Sequence, residues 1–353
     1  MRSAELPTQP VLAPSVAAEH VIVAIPALNE AEAIEACLRS LLSPRGWIDR
    51  VRVVVADGGS RDRTRWIVRR LMAEFPNLTL IANPHRLQSA GINRVVAEMA
   101  TPAHRILVRC DAHAVYPPGY VRDVVQSLSQ NGAAALATVM DARGADGFAA
   151  AAAAIVDTPL GSGGAAHRGG RRSGAVDHGH HAGMRLDWFR RIGGYDPGFS
   201  HNEDAEFDLR LRAAGGTIWL DAGIRLHYAM RPDPSALARQ YWRYGRGRAA
   251  TLLKHRTWPR LRQMLPAAHV GLLAGSLALA PLSWLGLVWP VLYLGICMGA
   301  SLWAMGRLRR TAGLWAGPAL ALMHSCWGAG FLSRLAAAAL SVTRPGSPEV
   351  QSQ

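Results

Sequence analysis

Five short clusters along the first two-thirds of the chain carry residues that can hold a nucleotide, bind a metal ion or activate a hydroxyl. The first is Pro26-Ala27-Leu28-Asn29-Glu30 and the second is Asp57-Gly58-Gly59-Ser60-Arg61-Asp62. A carboxylate such as Asp57 accepts hydrogen bonds from a base or a ribose. Gly58-Gly59 lets the backbone approach a ligand in conformations that a side chain forbids. The same Asp-Gly-Gly run also serves as plain turn chemistry. The third cluster, Asp111-Ala112-His113, spaces a carboxylate and an imidazole so that both can reach one divalent cation, with a nucleotide diphosphate supplying further oxygens. Its bland alternative is a turn ending in a surface histidine. In the fourth, His201-Asn202-Glu203-Asp204, two adjacent carboxylates precede an amphipathic helix bearing Phe207, Leu209 and Leu211. They either complement the helix dipole or supply a general base within reach of an acceptor hydroxyl. The fifth, residues 240–248, interleaves Tyr241, Trp242 and Tyr244 with Arg243, Arg246 and Arg248. It can form a floor for a sugar or a belt at a membrane surface, and its cations can clamp phosphates or meet anionic lipid.

The apolar runs that end directly before these clusters must be the strands that position them. Residues 21–25, 51–55, 78–82 and 106–108 read as strands, and residues 31–42, 64–75 and 89–99 between them as helices. This βαβα rhythm predicts an α/β fold built on a mostly parallel, doubly wound sheet with flanking helices. In such sheets ligands lie beyond the carboxyl ends of the strands, which is where the polar clusters fall. Further on, residues 120–128 and 149–156 read as helices and residues 133–138 as a strand. Residues 161–174 hold six glycines and predict a mobile loop. A helix over 187–192 and another over 204–214, closed by Gly215-Gly216, follow.

Composition narrows the class. The chain has 353 residues, a formal charge of +14, 50% hydrophobic and 18% charged residues, and 4 cysteines at scattered spacing. That excludes a disordered protein, a disulfide scaffold and a zinc ribbon, and it fits a reducing compartment. Every cation but Lys254 is arginine, so the total charge is a poor argument for nucleic acid, and its distribution matters more. Residues 225–262 contain ten Lys or Arg against the single acid Asp233, and residues 265–305 and 311–333 contain no charged side chain. An apolar stretch of about 40 residues is long enough for two crossings of a bilayer, with a turn near 281–283. Residues 312–333 form a third span or an in-plane helix. The arginines on either side of the apolar pair put both its ends on the cytoplasmic side. The expected organisation is a disordered leader at 1–19, a catalytic domain at 20–250, a basic juxtamembrane segment at 251–264, two or three membrane helices at 265–335 and a tail at 336–353.

Taken together and in this order, Pro26-Ala27-Leu28-Asn29-Glu30, Asp57-Gly58-Gly59-Ser60, Asp111-Ala112-His113, Asn202-Glu203-Asp204 and Gln240 to Tyr244 resemble the family-2 inverting glycosyltransferases of the GT-A fold. Val176 to His181, Ser200 to Asp204 and Gln240 to Arg248 are similar, more narrowly, to the succinoglycan-type exopolysaccharide glucosyltransferases. The resemblance implies a UDP-sugar donor held by Pro26, Asn29, Glu30, Asp57, Gly58, Gly59, Arg86 and Asp111. It implies Mn²⁺ or Mg²⁺ on Asp111 and His113, with His replacing the usual second Asp. It also makes Asp204 the catalytic base and Glu203 its neighbour in the acceptor site. His180, His181, Gln240, Arg243, Tyr244 and Arg246 are implied around the acceptor and its phosphates. Tyr244 stands where processive members carry Trp. A lipid-linked saccharide acceptor, membrane lipid and no nucleic acid are the implied partners, and the bacterial inner membrane, with the catalytic domain facing the cytoplasm, is the implied location. The nearest rival is a polyprenyl-phosphate hexose synthase. From another class, a basic, membrane-tethered nucleic-acid-binding or scaffold protein is the alternative.

Overall fold

The computed structural model describes residues 16–145 and 147–342. The chain runs through β1 (Val21–Ala27), α1 (Ile34–Leu41), β2 (Arg52–Asp57), α2 (Thr64–Glu74), β3 (Leu78–Ala82), α3 (Gln88–Met99), β4 (Ile106–Arg109), α4 (Tyr120–Asn131) and β5 (Ala135–Arg143). It continues through α5 (Gly147–Val156), α6 (Pro159–Ser162), β6 (Gly174–Val176), β7 (His180–Arg185), α7 (Leu186–Arg191), α8 (Glu203–Ala213), β8 (Ile218–Ala229) and α9 (Pro234–His255). Three long helices close it: α10 (Leu261–Leu279), α11 (Val288–Leu308) and α12 (Ala316–Val342).

The strands form one eight-stranded sheet in the order β3-β2-β1-β4-β7-β5-β8-β6. The first four are parallel, as the βαβα rhythm predicts. Their side chains alternate between two cores. Val21, Val23, Ile25, Val53 and Val55 face the layer of α1, α2 and α4. Ile22, Ala24, Val54 and Ala56 face Ile92 and Val95 of α3 and Phe189 and Phe207. A strand buried on both faces has no polar side to show, which is why these segments read as unbroken apolar runs.

The second half of the sheet departs from the parallel reading. β7 enters antiparallel between β4 and β5, and β6 closes the far edge antiparallel to β8. β6 and β7 were not legible, because their sequences around Gly174, Gly179 and Gly183 carry histidines instead of an apolar period. Gly183 is required where it sits, since a Cβ there would lie 2.7 Å from Val124 Cγ1.

The segment boundaries also shift. Ala18–His20 form a buried-side 3-10 turn inside the expected leader, and residues 1–15 lie outside the described residues. The helix α9 runs through the expected boundary at 250, the start of α10 absorbs the end of the basic segment, and α12 continues to Val342 through the start of the expected tail. Residues 343–353 lie outside the description.

The turn expected near 281–283 is present between α10 and α11. Of the described helices, the one over Trp284–Leu308, 25 residues long with an 18-residue stretch of mean hydropathy 1.8, is long and apolar enough to cross a bilayer by length and composition. Leu292, Leu294, Met298 and Leu302 on it point outward. The helix α9 joins this bundle to the sheet domain. It packs on α12 at two glycines: a Cβ on Gly245 would fall 2.0 Å from Trp327 O, and one on Gly330 would fall 2.3 Å from Trp242 O. Only residues without a side chain let the two backbones come this close.

Candidate active site

At the carboxyl ends of β2 and β3 a cavity of about 420 Å³ is lined by Asp57, Gly58, Gly59, Arg65, Asn83 and Arg86, among others. Asp57 is buried, and its carboxylate accepts the N–H groups of Gly59 at 3.0 Å and of Ser60 at 3.1 Å. It therefore shapes its own turn as well as walling the cavity. A Cβ on Gly58 would sit 3.2 Å from Arg86 O, so the glycine lets the two loops touch. Pro26, Asn29 and Glu30 lie beside this cavity and do not line it. Pro26 pairs with Ala56 in the sheet. Asn29, at φ 58°, binds the second loop by accepting Arg61 N–H on Oδ1 at 2.9 Å, while its own N–H donates to Ser60 Oγ at 2.9 Å. Pro26 thus belongs to the strand, and Asn29 holds the shape of the loop.

A second cavity of about 740 Å³ opens beyond β4 and β7, and Gln88, Arg109, Asp111, His180, Glu203 and Asp204 share its wall. Arg109, the last residue of β4, is buried at the centre. Its Nη2 lies 3.4 Å from Glu203 Oε1 and its Nε 3.8 Å from Asp111 Oδ1, and its Nη1 donates to Tyr195 Oη at 3.3 Å. Burial opposes its charge, but Tyr195, Asp111 and Glu203 outweigh that and keep it protonated. One guanidinium thus bridges the two acidic clusters and lets three carboxylates share one cavity.

The adjacent carboxylates differ in their bonding. Glu203 Oε1 is taken up by Gln88 Nε2 at 2.8 Å and by Arg109. Burial and the Asp204 charge raise its pKa against the pull of Arg109. Asp204 accepts only the N–H of Ala205, at 2.8 Å on Oδ1, among the described residues. Burial would raise its pKa, but His178, His181 and Arg109 lower it, so it stays ionised. Each carboxylate keeps one oxygen without a partner among the described residues, and Asp204 is the one held ionised and so the one able to take a proton from a ligand.

Below this pair lies a rigid layer. Asp208, one turn after Asp204 on α8, accepts from His178 Nδ1 at 2.7 Å and His181 Nε2 at 2.6 Å, and His181 Nδ1 meets Tyr195 Oη at 2.6 Å. Burial opposes the charge of Asp208, yet the two histidines bring its pKa down to about 2. The chain Asp208–His181–Tyr195–Arg109 fixes the guanidinium that holds the acidic groups.

Several expectations change here. His181 is fully buried in this chain and does not line the cavity, so it positions other groups and cannot touch an acceptor; the strand β7 alternates, sending His180 into the cavity and His181 into the core. Asp111 and His113 both line the cavity, and the Glu30 hydrogen bond and, less strongly, the charge of Asp111 raise the His113 pKa. The backbone turns after β4, buries Ala112 and brings His113 out to pair with Glu30 Oε1 at 3.1 Å. His180, which sequence reasoning placed with the acceptor, also approaches this carboxylate, with Nε2 3.8 Å from Asp111 Oδ2, and burial pushes its pKa down to about 4 despite that carboxylate. On α9, Gln240 and Tyr244 face the cavity, four residues apart and hydrogen-bonded at 2.8 Å. Arg243 and Arg246 fall on the other side of that helix and are exposed. Arg109, Gln88, Tyr195 and Asp208 were missed. A charged residue ending a buried apolar strand was the available signal for Arg109, and helical i, i+4 spacing from Asp204 was the signal for Asp208.

No group of three His, Cys, Asp or Glu that could hold a metal by itself exists among the described residues. Asp111 Oδ1, however, is buried with no hydrogen-bond donor, and the imidazole beside it is neutral. That donor set fits a divalent cation completing its shell with diphosphate oxygens and water.

A half-parallel sheet with one cavity at the carboxyl ends of β2 and β3 and an acidic one beyond β4 has the layout of a nucleotide-sugar-dependent glycosyltransferase of the GT-A fold. Residues 22–193 match the glycosyl transferase family 2 domain. The chain is also 42% identical over 317 residues to the succinoglycan biosynthesis protein ExoA of Rhizobium meliloti (strain 1021), covering 89% of this chain and 94% of that one. The chain belongs to glycosyltransferase family 2. Among solved structures it is similar to the mannosyltransferase PcManGT from Pyrobaculum calidifontis in complex with GDP-Man and Mn²⁺, with TM-score 0.55 and 20% identity over 90% of this chain and 87% of that one. The S. aureus protein TarS, residues 1–349, aligns at TM-score 0.44 and 13% identity over 90% of this chain and 91% of that one.

Proposed function

We propose that this glycosyltransferase moves a hexose, glucose in the first instance, from a UDP-sugar to a hydroxyl of a lipid-linked saccharide in exopolysaccharide synthesis, working at the cytoplasmic face of the bacterial inner membrane. The single observation that carries the reading is the placement of Asp204. It is an ionised carboxylate with a free oxygen, in the same cavity as the donor-deprived Asp111, and that cavity extends between the C-terminal helices. The relative named for succinoglycan biosynthesis supports the saccharide product.

In this reading the uridine end occupies the cavity of Asp57 and Arg86, and Asp111 with His180 holds a divalent cation. When bound, the cation neutralises charge on the leaving diphosphate. Asp204 takes the proton of the acceptor hydroxyl as its oxygen forms the new bond to the anomeric carbon, and the bond to UDP breaks on the opposite face. The single displacement turns an α-linked donor into a β-linked product. Glu203, held by Gln88 and Arg109, orients the acceptor. Arg109 keeps the carboxylates in place and stabilises negative charge in a site shielded from water.

The test is UDP release by purified protein in detergent with UDP-glucose, Mn²⁺ or Mg²⁺ and a membrane lipid extract, with Asp204→Asn alongside. Turnover that needs metal and lipid and vanishes in the variant supports the reading. Folded protein that releases no UDP from any UDP-sugar overturns the donor assignment. A product in which the sugar sits directly on a lipid phosphate would instead establish the polyprenyl-phosphate rival.

A further inference from the structure

Away from the carboxylates, the wall of the large cavity becomes basic. Residues 163–173 do not hang free as expected. Met140 N–H donates to His167 O at 2.8 Å and Gly169 N–H to Met140 O at 3.2 Å, forming a short parallel bridge along β5. The bridge turns His167 and Arg168 towards the cavity. The Arg168 guanidinium lies over the Tyr228 ring, 4.4 Å from its centroid, which fixes its direction. Yet Arg168 Nη1 is buried and has no hydrogen-bond partner, and the same is true of His167 Nδ1. A buried donor left unpaired loses its hydration without compensation, so an acceptor atom belongs beside Arg168 Nη1.

Two more arginines face the same space. Arg248 lies one turn beyond Tyr244 on α9, and Arg262 lies at the start of α10. Neither has an ion pair or a side-chain hydrogen bond among the described residues, whereas Arg260 beside them is paired with Asp177. Burial, reinforced by the charges of Arg262 and Arg260, lowers the pKa of Arg248 even though Asp204 and Asp208 pull the other way. Past these cations the cavity continues between α10, α11 and α12, walled by Leu265, Leu272, Ile296, Met323 and Trp289. A group of unpaired cations opening onto an apolar passage matches one kind of molecule: a lipid with a phosphate head.

We propose that Arg168, Arg248 and Arg262 form a clamp for the phosphate of the lipid-linked acceptor, with the lipid between α10, α11 and α12 and the saccharide end at Asp204. The proposal rests on the acceptor reading above and names the residues and the route. The clamp is distinct from the nucleotide cavity, which has its own arginines at positions 61, 65, 69 and 86. Guanidinium suits this task because its fixed fork of donors pairs with phosphate oxygens at two points.

The experiment uses the full chain in detergent and farnesyl diphosphate as the probe, followed through tryptophan fluorescence, since Trp289 and Trp327 line the cavity. Farnesol, inorganic pyrophosphate and UDP are the comparison ligands. Farnesyl diphosphate is expected to bind at least about tenfold more tightly than farnesol or pyrophosphate, because only it meets both parts of the site. Arg168→Ala and Arg262→Ala should each weaken it about tenfold or more, Arg168→Lys should recover part of the loss, and Arg122→Ala on the far surface should change nothing. UDP affinity should be the same in all of them. Arg262 is exposed, so its variant decides the matter if Arg168→Ala loses UDP binding through misfolding. Equal affinity in wild type and Arg262→Ala, or displacement of the probe by UDP, overturns the clamp. UDP binding and UDP release without any farnesyl diphosphate binding also overturns it, and leaves the glycosyltransferase reading standing. Loss of UDP binding by folded wild type would overturn the donor reading as well.

Discussion

Asp204 and Glu203 are neighbours in sequence, yet their hydrogen bonds give them different work. Asp204 has an uncommitted oxygen and a lowered pKa; Glu203 is tied to Gln88 and Arg109 and its pKa is raised. Asp204→Asn should therefore lower kcat by about 10²- to 10⁴-fold, the usual worth of a positioned general base, with UDP affinity kept; steady-state kinetics and UDP titration check both halves. Arg109→Ala should act differently. Without the bridging cation Asp111, Glu203 and Asp204 repel one another, and kcat should fall by at least about tenfold even though Arg109 takes no proton. An Arg109→Ala enzyme with wild-type kcat would remove the guanidinium from the mechanism. At this scale the sequence showed the acidic residues well, because carboxylates after apolar runs stand out. It hid the network under them. His181 and Asp208 look like a loose polar cluster until strand and helix periodicity are combined across 27 residues.

The elements were legible where one rule sufficed. β1 to β4 and the helices between them follow from apolar runs and helical periods. The strands β6 and β7 were not, since their faces are set by what surrounds them. The helices α8 and α9 are joined by a contact no local pattern reveals. Glu206 is fully buried and meets Arg210 Nη2 at 2.7 Å, Lys254 Nζ at 2.9 Å and His255 Nε2 at 2.9 Å. Burial opposes its charge, but Arg210, Lys254 and His255 lower its pKa from 4.5 to about 2. A carboxylate with a depressed folded-state pKa stabilises the fold above its unfolded value and loses that contribution as pH falls. Thermal unfolding should accordingly show a stability loss between pH 4.5 and about 2 that Glu206→Gln removes. At neutral pH the same variant should be less stable by about 3–5 kcal/mol, as for a broken buried pair. On the far side of α9, Gly330→Ala places a methyl against the Trp242 carbonyl at 2.3 Å. It should cost about 1–3 kcal/mol by overpacking, read as a lower midpoint in the same thermal assay.

The whole molecule combines a sheet domain, an arginine belt and a helical bundle with apolar outer faces. Salt weakens contacts between exposed arginines and anionic lipid, because the Debye length is about 3 Å at 1 M. Apolar insertion is not weakened. Cell membranes carrying the protein should therefore retain it through a wash in about 1 M salt and release it in detergent; release by salt alone would mean that only the belt is engaged. The apolar stretches announced this bundle from sequence, whereas its role as a cavity wall needed the fold, since residues 161–174, α9 and α10 meet only in three dimensions. The helix α9 has one further consequence. It runs unbroken for 22 residues, roughly 33 Å at 1.5 Å per residue, with Tyr244 and Arg248 on one face and its glycine seam against α12. Of the three clamp arginines it carries Arg248, and the ion pairs of Glu206 with Lys254 and His255 tie it to α8, which carries Asp204. If the clamp seats the acceptor phosphate, two helices joined in this way set one distance from phosphate to base, and turnover of saccharide acceptors of increasing length should pass through a single optimum.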